Sequence, residues 1–127
     1  MKLLLDTHTF LWMIYDGNLS LTAQQAILDG DNDLFLSAAS YWEICIKLSL
    51  GKLQLTDEWP QVFEEEIKAN RILWLPVERA HCRHLLTLPH LHGDPFDRLL
   101  VAQAQVEHMT LVTADTTLHN YGVAVIW

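Results

Sequence analysis

Cysteine, basic residues, turn-formers and long apolar runs are all scarce in this chain. Only two cysteines, Cys45 and Cys82, occur in 127 residues, without the C-x-x-C spacing of a zinc or redox site. That excludes a disulfide scaffold and leaves the expectation of two reduced, buried thiols in a cytoplasmic protein. Lys and Arg number 8 against 16 Asp and Glu, a formal net charge of -8. Such a chain cannot hold nucleic acid by counterion release alone, so a nucleic-acid role would require a metal ion, a local basic patch, or both. The leucines of MKLLLDTHTF give way at once to Asp6, and nothing approaches the roughly 20 apolar residues that cross a bilayer, so neither a signal peptide nor a membrane span is expected. With 5 Gly, 4 Pro, no repeat and no low-complexity stretch, no internal boundary is visible, and residues 1–127 read as one domain.

What is present is a core-forming composition: 50% hydrophobic residues, including five Trp. KLLL, DLFLSAAS, RILWLPV, MTLVTAD and GVAVIW read as strands. Between them lie helical patterns. THTFLWMIYDG carries Phe10, Leu11 and Ile14 at helical spacing. NLSLTAQQAILDGDND has Ser20 as N-cap and Leu21, Ala26 and Ile27 facing inward. In SYWEICIKLSLGKL, Ser40 stands three residues before Glu43, a capping-box spacing that predicts a helix over 41–50 with Trp42 in the core. TDEWPQVFEEEIKAN places Trp59, Val62, Phe63 and Ile67 on one face, with Glu64 to Glu66 solvated. Residues 79–87 form a further helix, and DPFDRLLVAQAQVE starts another with Pro95 at its first position. Alternating strands and helices predict an α/β class with a mostly parallel sheet of about five strands, covered by helices on both faces.

That topology gives the acids a common address. Asp6 and Asp115 end two apolar runs, and Glu43 and Asp97 fall in the first turns of two helices. In a parallel sheet the carboxyl ends of strands and the amino ends of the following helices share one edge. Taken singly, each acid has an ordinary structural explanation: Glu43 closes a capping box with Ser40 or pairs with Lys47, and Asp94 and Asp97 serve as cap and first-turn acid. Asp6 and Asp115 need no capping role on this reading, and converging carboxylates repel one another. Hard oxygen ligands without cysteine select Mg²⁺ or Mn²⁺, and phosphate chemistry is the natural use of such a site.

In order along the chain, LLLDTH, SYWEICIKLSLGKL, DPFDRLLVAQA and LVTADTTL resemble the acidic motifs of PIN-domain ribonucleases, most nearly the VapC-type toxins of bacterial toxin–antitoxin pairs. The resemblance runs from the first strand to Trp127. It implies a single PIN-like three-layer α/β/α domain and a metal-dependent endoribonuclease. Asp6, Glu43, Asp97 and Asp115 would be both the catalytic residues and the ligands of Mg²⁺ (or Mn²⁺), with Asp94 as helper or cap. Thr7, Ser37 and Thr113, beside the motif acids, would orient them. Lys47, Lys52 and Arg98 would hold flanking RNA phosphates, or else be solvated charges. A small cognate antitoxin and a homodimer are the implied partners.

Two rival readings come from different classes. HLHGDP gives His90, His92 and Asp94 the H-x-H-x-D spacing of a zinc hydrolase, although Pro95 stands where that motif has a further histidine. A catalytically silent PIN-like binding module would keep the fold without the acids, yet all four are present.

Overall fold

The computed structural model describes residues 1–15 and 17–127. Strand β1 (Lys2–Leu5) leads into helices α1 (Thr7–Tyr15) and α2 (Leu21–Leu28), then β2 (Asp33–Ser37), α3 (Ala38–Ser49) and α4 (Trp59–Ala69). Next come β3 (Leu73–Leu75), α5 (Arg79–His84), a 3₁₀ turn at Leu85–Thr87, α6 (Pro95–Val106), β4 (Thr110–Val112), a second 3₁₀ segment at Thr116–Tyr121, and β5 (Val125–Ile126). The strands form one sheet in the order β3-β2-β1-β4-β5, and every pairing is parallel.

Why β1 is apolar throughout follows from this order. Central in the sheet, it is covered on both faces, so a strand's two-residue alternation sends side chains into two separate cores. Leu3 and Leu5 join Phe10, Leu36, Ile44 and Phe63 on one face, while Leu4 joins Leu100, Val101, Leu111 and Leu118 on the other. Phe63 anchors the first core: its ring meets Phe10 edge-on at 5.2 Å, Trp59 at 5.1 Å and Tyr41 at 5.9 Å. The second core rests on the fully buried run of α6 from Leu100 to Ala104.

Strand order reverses beside β1, because the chain first builds outward to β2 and β3 and then returns to place β4 on β1's other side. In open α/β sheets the crevice at such a reversal, outside the carboxyl ends of the strands, is where ligands bind. Asp6 follows β1 and Asp115 follows β4, so the reversal sets both acids on that crevice.

Several local expectations need correction. Helix α3 begins at Ala38 rather than 41, because Ser37 and not Ser40 is its N-cap, its Oγ accepting from the Ala39 N–H at 3.0 Å. Ser40 is instead fully buried inside the first turn, and its hydroxyl has no partner among the described residues. Glu43 therefore lies in the second turn. Leu21 is 70% exposed, since only Ala23 of α2 is buried. Trp42 is 61% exposed rather than core, because starting the helix at Ala38 turns Ala39, Ser40, Glu43 and Ile44 inward. Cys45 is half-buried and Cys82 exposed, so neither thiol belongs to the core. Ser20 and Pro95 stand where the sequence put them, as N-cap of α2 and first residue of α6.

Candidate metal centre

Three of the rim acids are fixed by the backbone of the element they precede. Asp6 extends β1 by donating its N–H to the Val112 carbonyl at 3.2 Å, while its Oδ1 accepts from the Thr9 N–H at 2.7 Å. It is thus a cap as well as a strand end, contrary to the expectation that it needed no capping role. The same correction holds for Asp115, whose Oδ1 accepts from the Thr117 N–H at 2.9 Å and starts the second 3₁₀ segment. Asp94 caps α6 through Oδ1, accepting from the N–H groups of Phe96 at 2.9 Å and Asp97 at 3.1 Å. A capping acid also faces the positive end of the helix dipole, which lessens the electrostatic strain of an acidic rim.

Glu43 is held differently. The Thr7 hydroxyl donates to its Oε1 at 2.6 Å, joining α1 to α3, and the Lys47 ammonium lies 2.8 Å from its Oε2. Lys47 is thereby an ion-pair partner of the acid rim, with about a third of its side chain exposed. Thr113 orients Asp115 by accepting its N–H at 3.0 Å. Ser37 acts at a remove: its hydroxyl donates to Gln103 Oε1 at 2.6 Å, tying α3 to buried α6.

Asp97 sits in the first turn of α6, and its carboxyl is pushed up from 3.8 to about 6. Burial is the main cause, followed by the negative charge of Asp94, while His92 opposes the rise and Glu43 and Asp115 add to it. Glu43 and Asp115, from two other elements, therefore both act on Asp97. Asp6 is linked to them through the chain, its neighbour Thr7 holding Glu43.

The sequence offers His92 either as part of a zinc triad with His90 and Asp94 or, the better account, as part of a histidine-rich loop capping the next helix, and the structure does not assemble the triad. Asp94 caps α6, and His90 is exposed. His92 instead joins Asp97 and Asp115, the ligand atoms of the three lying within 4.8 Å of one another. Its Nε2 lies 3.5 Å from Asp97 Oδ2 and has no hydrogen-bond partner, though that atom is buried. Its Nδ1 pairs with the Tyr121 hydroxyl at 2.7 Å. The histidine's place directly ahead of the α6 cap was visible in the sequence; Tyr121, 29 positions away, gave no comparable signal.

Whether these residues suit a divalent cation can be judged from chemistry already present. A buried nitrogen without a hydrogen bond, beside an Asp97 carboxyl whose proton affinity is raised by burial and by its acidic neighbours, is a donor set short of positive charge. Lys47 supplies one such charge, at Glu43. The set fits a cation.

Beside the centre runs a shallow groove of about 360 Å³, lined in part by Glu43, Lys47, Lys52, Asp94 and Phe96. Exposed Trp42 packs edge-on against Phe96 at 5.4 Å. Arg98 points elsewhere, donating to the Pro89 carbonyl at 2.7 Å and to the Tyr121 hydroxyl at 3.3 Å.

The sequence matches the PIN domain family over residues 3–124. It is 29% identical over 123 residues to Ribonuclease VapC22 of Mycobacterium tuberculosis (strain ATCC 25618 / H37Rv), covering 93% of this chain and 90% of that protein. Among solved structures, the fold is similar to VapBC2 from Rickettsia felis, bound to a DNA fragment from its promoter, with a TM-score of 0.77 at 15% identity, covering 98% of this chain and 97% of that one. It is also similar to VapBC-1 from nontypeable Haemophilus influenzae, with a TM-score of 0.70 at 18% identity, covering 98% and 96%.

Proposed function

The chain belongs to the PIN domain family, and from that premise we propose that it is a metal-dependent endoribonuclease, the toxin of a toxin–antitoxin pair. The observation that carries this reading is the convergence of Asp94, Glu43 and Asp115 on the partly buried Asp97, whose proton affinity burial and these charges raise, at the sheet's point of reversal that Asp6 also borders. The chain's similarity to Ribonuclease VapC22 supports cleavage of RNA, and the fold it shares with VapBC structures supports a small antitoxin as partner.

Asp6, Glu43, Asp97 and Asp115 would hold Mg²⁺ or Mn²⁺, which when bound polarises a phosphodiester and lowers the pKa of a water molecule. The protein's own contribution is placement. Asp6 and Asp115 are fixed by the helical turns they cap, Asp97 is aimed by Asp94 and Pro95, and Glu43 is steadied by Thr7. Lys47 and Lys52 line the groove beside the acids, where they offer RNA phosphates the local positive charge that the chain as a whole lacks. Arg98 holds the loop ahead of α6 instead. The whole of residues 1–127 acts as one domain, working in the cytoplasm as a homodimer. Among the described residues no helix is long and apolar enough to cross a membrane.

The test is cleavage of a mixed RNA pool by the purified protein with Mg²⁺ or Mn²⁺, with EDTA, and with Asp6→Asn. Asparagine caps helices as well as aspartate, so the substitution should leave folding within about 0.5 kcal/mol while removing a ligand charge. Cutting abolished by both EDTA and the substitution supports the reading. Cutting that survives the substitution refutes this assignment of the site.

A further inference from the structure

We infer that His92 Nε2 is a nitrogen ligand of the cation held by Asp97 and Asp115, making the centre a mixed nitrogen–oxygen site that prefers Co²⁺, Ni²⁺ or Zn²⁺ to Mg²⁺. The inference rests on the metal-centre reading above and adds a ligand of different chemistry to it.

His92 does not behave as an ordinary rim histidine. Nε2 lies 3.5 Å from Asp97 Oδ2, close enough to oppose the rise of that carboxyl but beyond a well-formed N–H···O distance. Burying that nitrogen without a hydrogen bond is unfavourable, and here it is buried with only the long contact to Asp97. The far side of the ring is built to hold it in place. Nδ1 pairs with the Tyr121 hydroxyl at 2.7 Å, and Arg98 donates to that same hydroxyl at 3.3 Å while gripping the Pro89 carbonyl at 2.7 Å. In the tautomer whose Nδ1–H donates to Tyr121, the lone pair of Nε2 points toward the carboxylates. An outer hydrogen bond that fixes tautomer and ring orientation is what metal-binding histidines ordinarily have.

Spacing agrees with a shared ion. Imidazole nitrogen and carboxylate oxygen sit roughly 2.0 to 2.2 Å from a divalent cation, so ligands of one ion lie within about 4.4 Å of each other. The three ligand atoms lie within 4.8 Å, so a few tenths of an ångström of closure suffice. A neutral nitrogen donor strengthens binding along the series toward Co²⁺, Ni²⁺ and Zn²⁺, whereas Mg²⁺ favours oxygen.

Titration of the full chain with CoCl₂ and with MgCl₂, by calorimetry and by the visible absorption of bound Co²⁺, tests this directly. His92→Phe keeps an aromatic ring packed against Tyr121 and should weaken Co²⁺ binding roughly 10- to 100-fold, while Mg²⁺ affinity stays within about threefold. Tyr121→Phe, a variant that keeps the buried ring, should weaken Co²⁺ roughly tenfold by freeing the imidazole. Unchanged Co²⁺ affinity in His92→Phe overturns the inference, as do equal losses for both metals, which would make His92 a positioning residue for the acids. If the unaltered protein binds both metals and His92→Phe does nothing, only this inference fails; if it binds neither, the metal-centre reading fails with it.

Discussion

Replacing Asp97 with asparagine should make the metal-free protein more stable while removing its activity. In the folded chain the Asp97 carboxyl is pushed up from 3.8 to about 6, first by burial and then by Asp94. A raised carboxyl binds its proton more tightly folded than unfolded, so its effect on stability is most favourable below 3.8, declines as pH rises toward 6, and is a full penalty above that. The gap corresponds to about 3 kcal/mol at neutral pH, and a quarter of the side chain is exposed, so screening by solvent reduces the expected penalty to about 1 to 2 kcal/mol. Asparagine has nearly the same shape and cannot ionise. In urea unfolding with EDTA at pH 7.5, Asp97→Asn should therefore exceed the unaltered protein by about 1 to 2 kcal/mol. At pH 5 the difference should shrink, because the native carboxyl is then mostly protonated. Saturating Mg²⁺ should reverse the order by binding and stabilising only the intact site. Equal or lower stability of Asp97→Asn at pH 7.5, or the same dependence on pH in both proteins, would refute the account of a rim strained by its own charge.

Asp94 separates two roles that sequence leaves together. Asp94→Asn retains the cap and should leave RNA cleavage within about threefold, whereas Asp94→Ala should lower the unfolding free energy by about 1 kcal/mol and weaken cleavage by loosening the first turn of α6. Cleavage lost in Asp94→Asn would instead make Asp94 a ligand. Phe63→Ala, which empties the centre of the aromatic core, should cost about 3 to 5 kcal/mol in denaturant unfolding, and a loss under 2 would show that neighbouring rings refill the space. Ser40→Ala removes a buried hydroxyl without a partner, so it should raise stability by about 0.5 to 1 kcal/mol in the same assay, where a loss would reveal a hydrogen bond to bound water.

The strand content was legible because β1 and β4 are covered on both faces and so read as unbroken apolar runs, and the α/β alternation then determined which edge would collect the acids. The start of α3 was misread for a physical reason. Ser37 and Ser40 are both N-cap residue types near the end of β2, and Glu43 three residues after Ser40 imitated a capping box. Only the pairing of Ser37 with Leu75 in the sheet and its bond to Gln103 show that the strand ends there. Neighbouring helix positions point about 100° apart, and the face that α3 turns inward holds Ala39, Ser40, Glu43 and Ile44, so Glu43 reaches the rim while Trp42 lies on the surface. His92 was legible as a candidate but not in its partners, because Asp115 and Tyr121 reach it through tertiary packing with no local sequence signal.

The capping of Asp6 and Asp115 changes the weight of the sequence argument rather than its direction. If those acids had no structural duty, their presence alone would speak for a ligand; since each accepts a backbone N–H through Oδ1, the cap accounts for an aspartate at either position. Capping does not account for the convergence. A cap can be serine, threonine or asparagine at little loss, and uncharged choices at Asp94 and Asp115 would have left Asp97 without two of the neighbours that raise it. What helix starts require is an oxygen; what this rim contains is charge in excess of that requirement, with Oδ2 of both caps left without a hydrogen-bond partner among the described residues. The cap fixes the carboxylate in space through one oxygen, and the other remains available to a cation. Asp94 follows the same pattern one turn before Asp97, so the residue that starts α6 also sets the direction of the acid most perturbed by its surroundings.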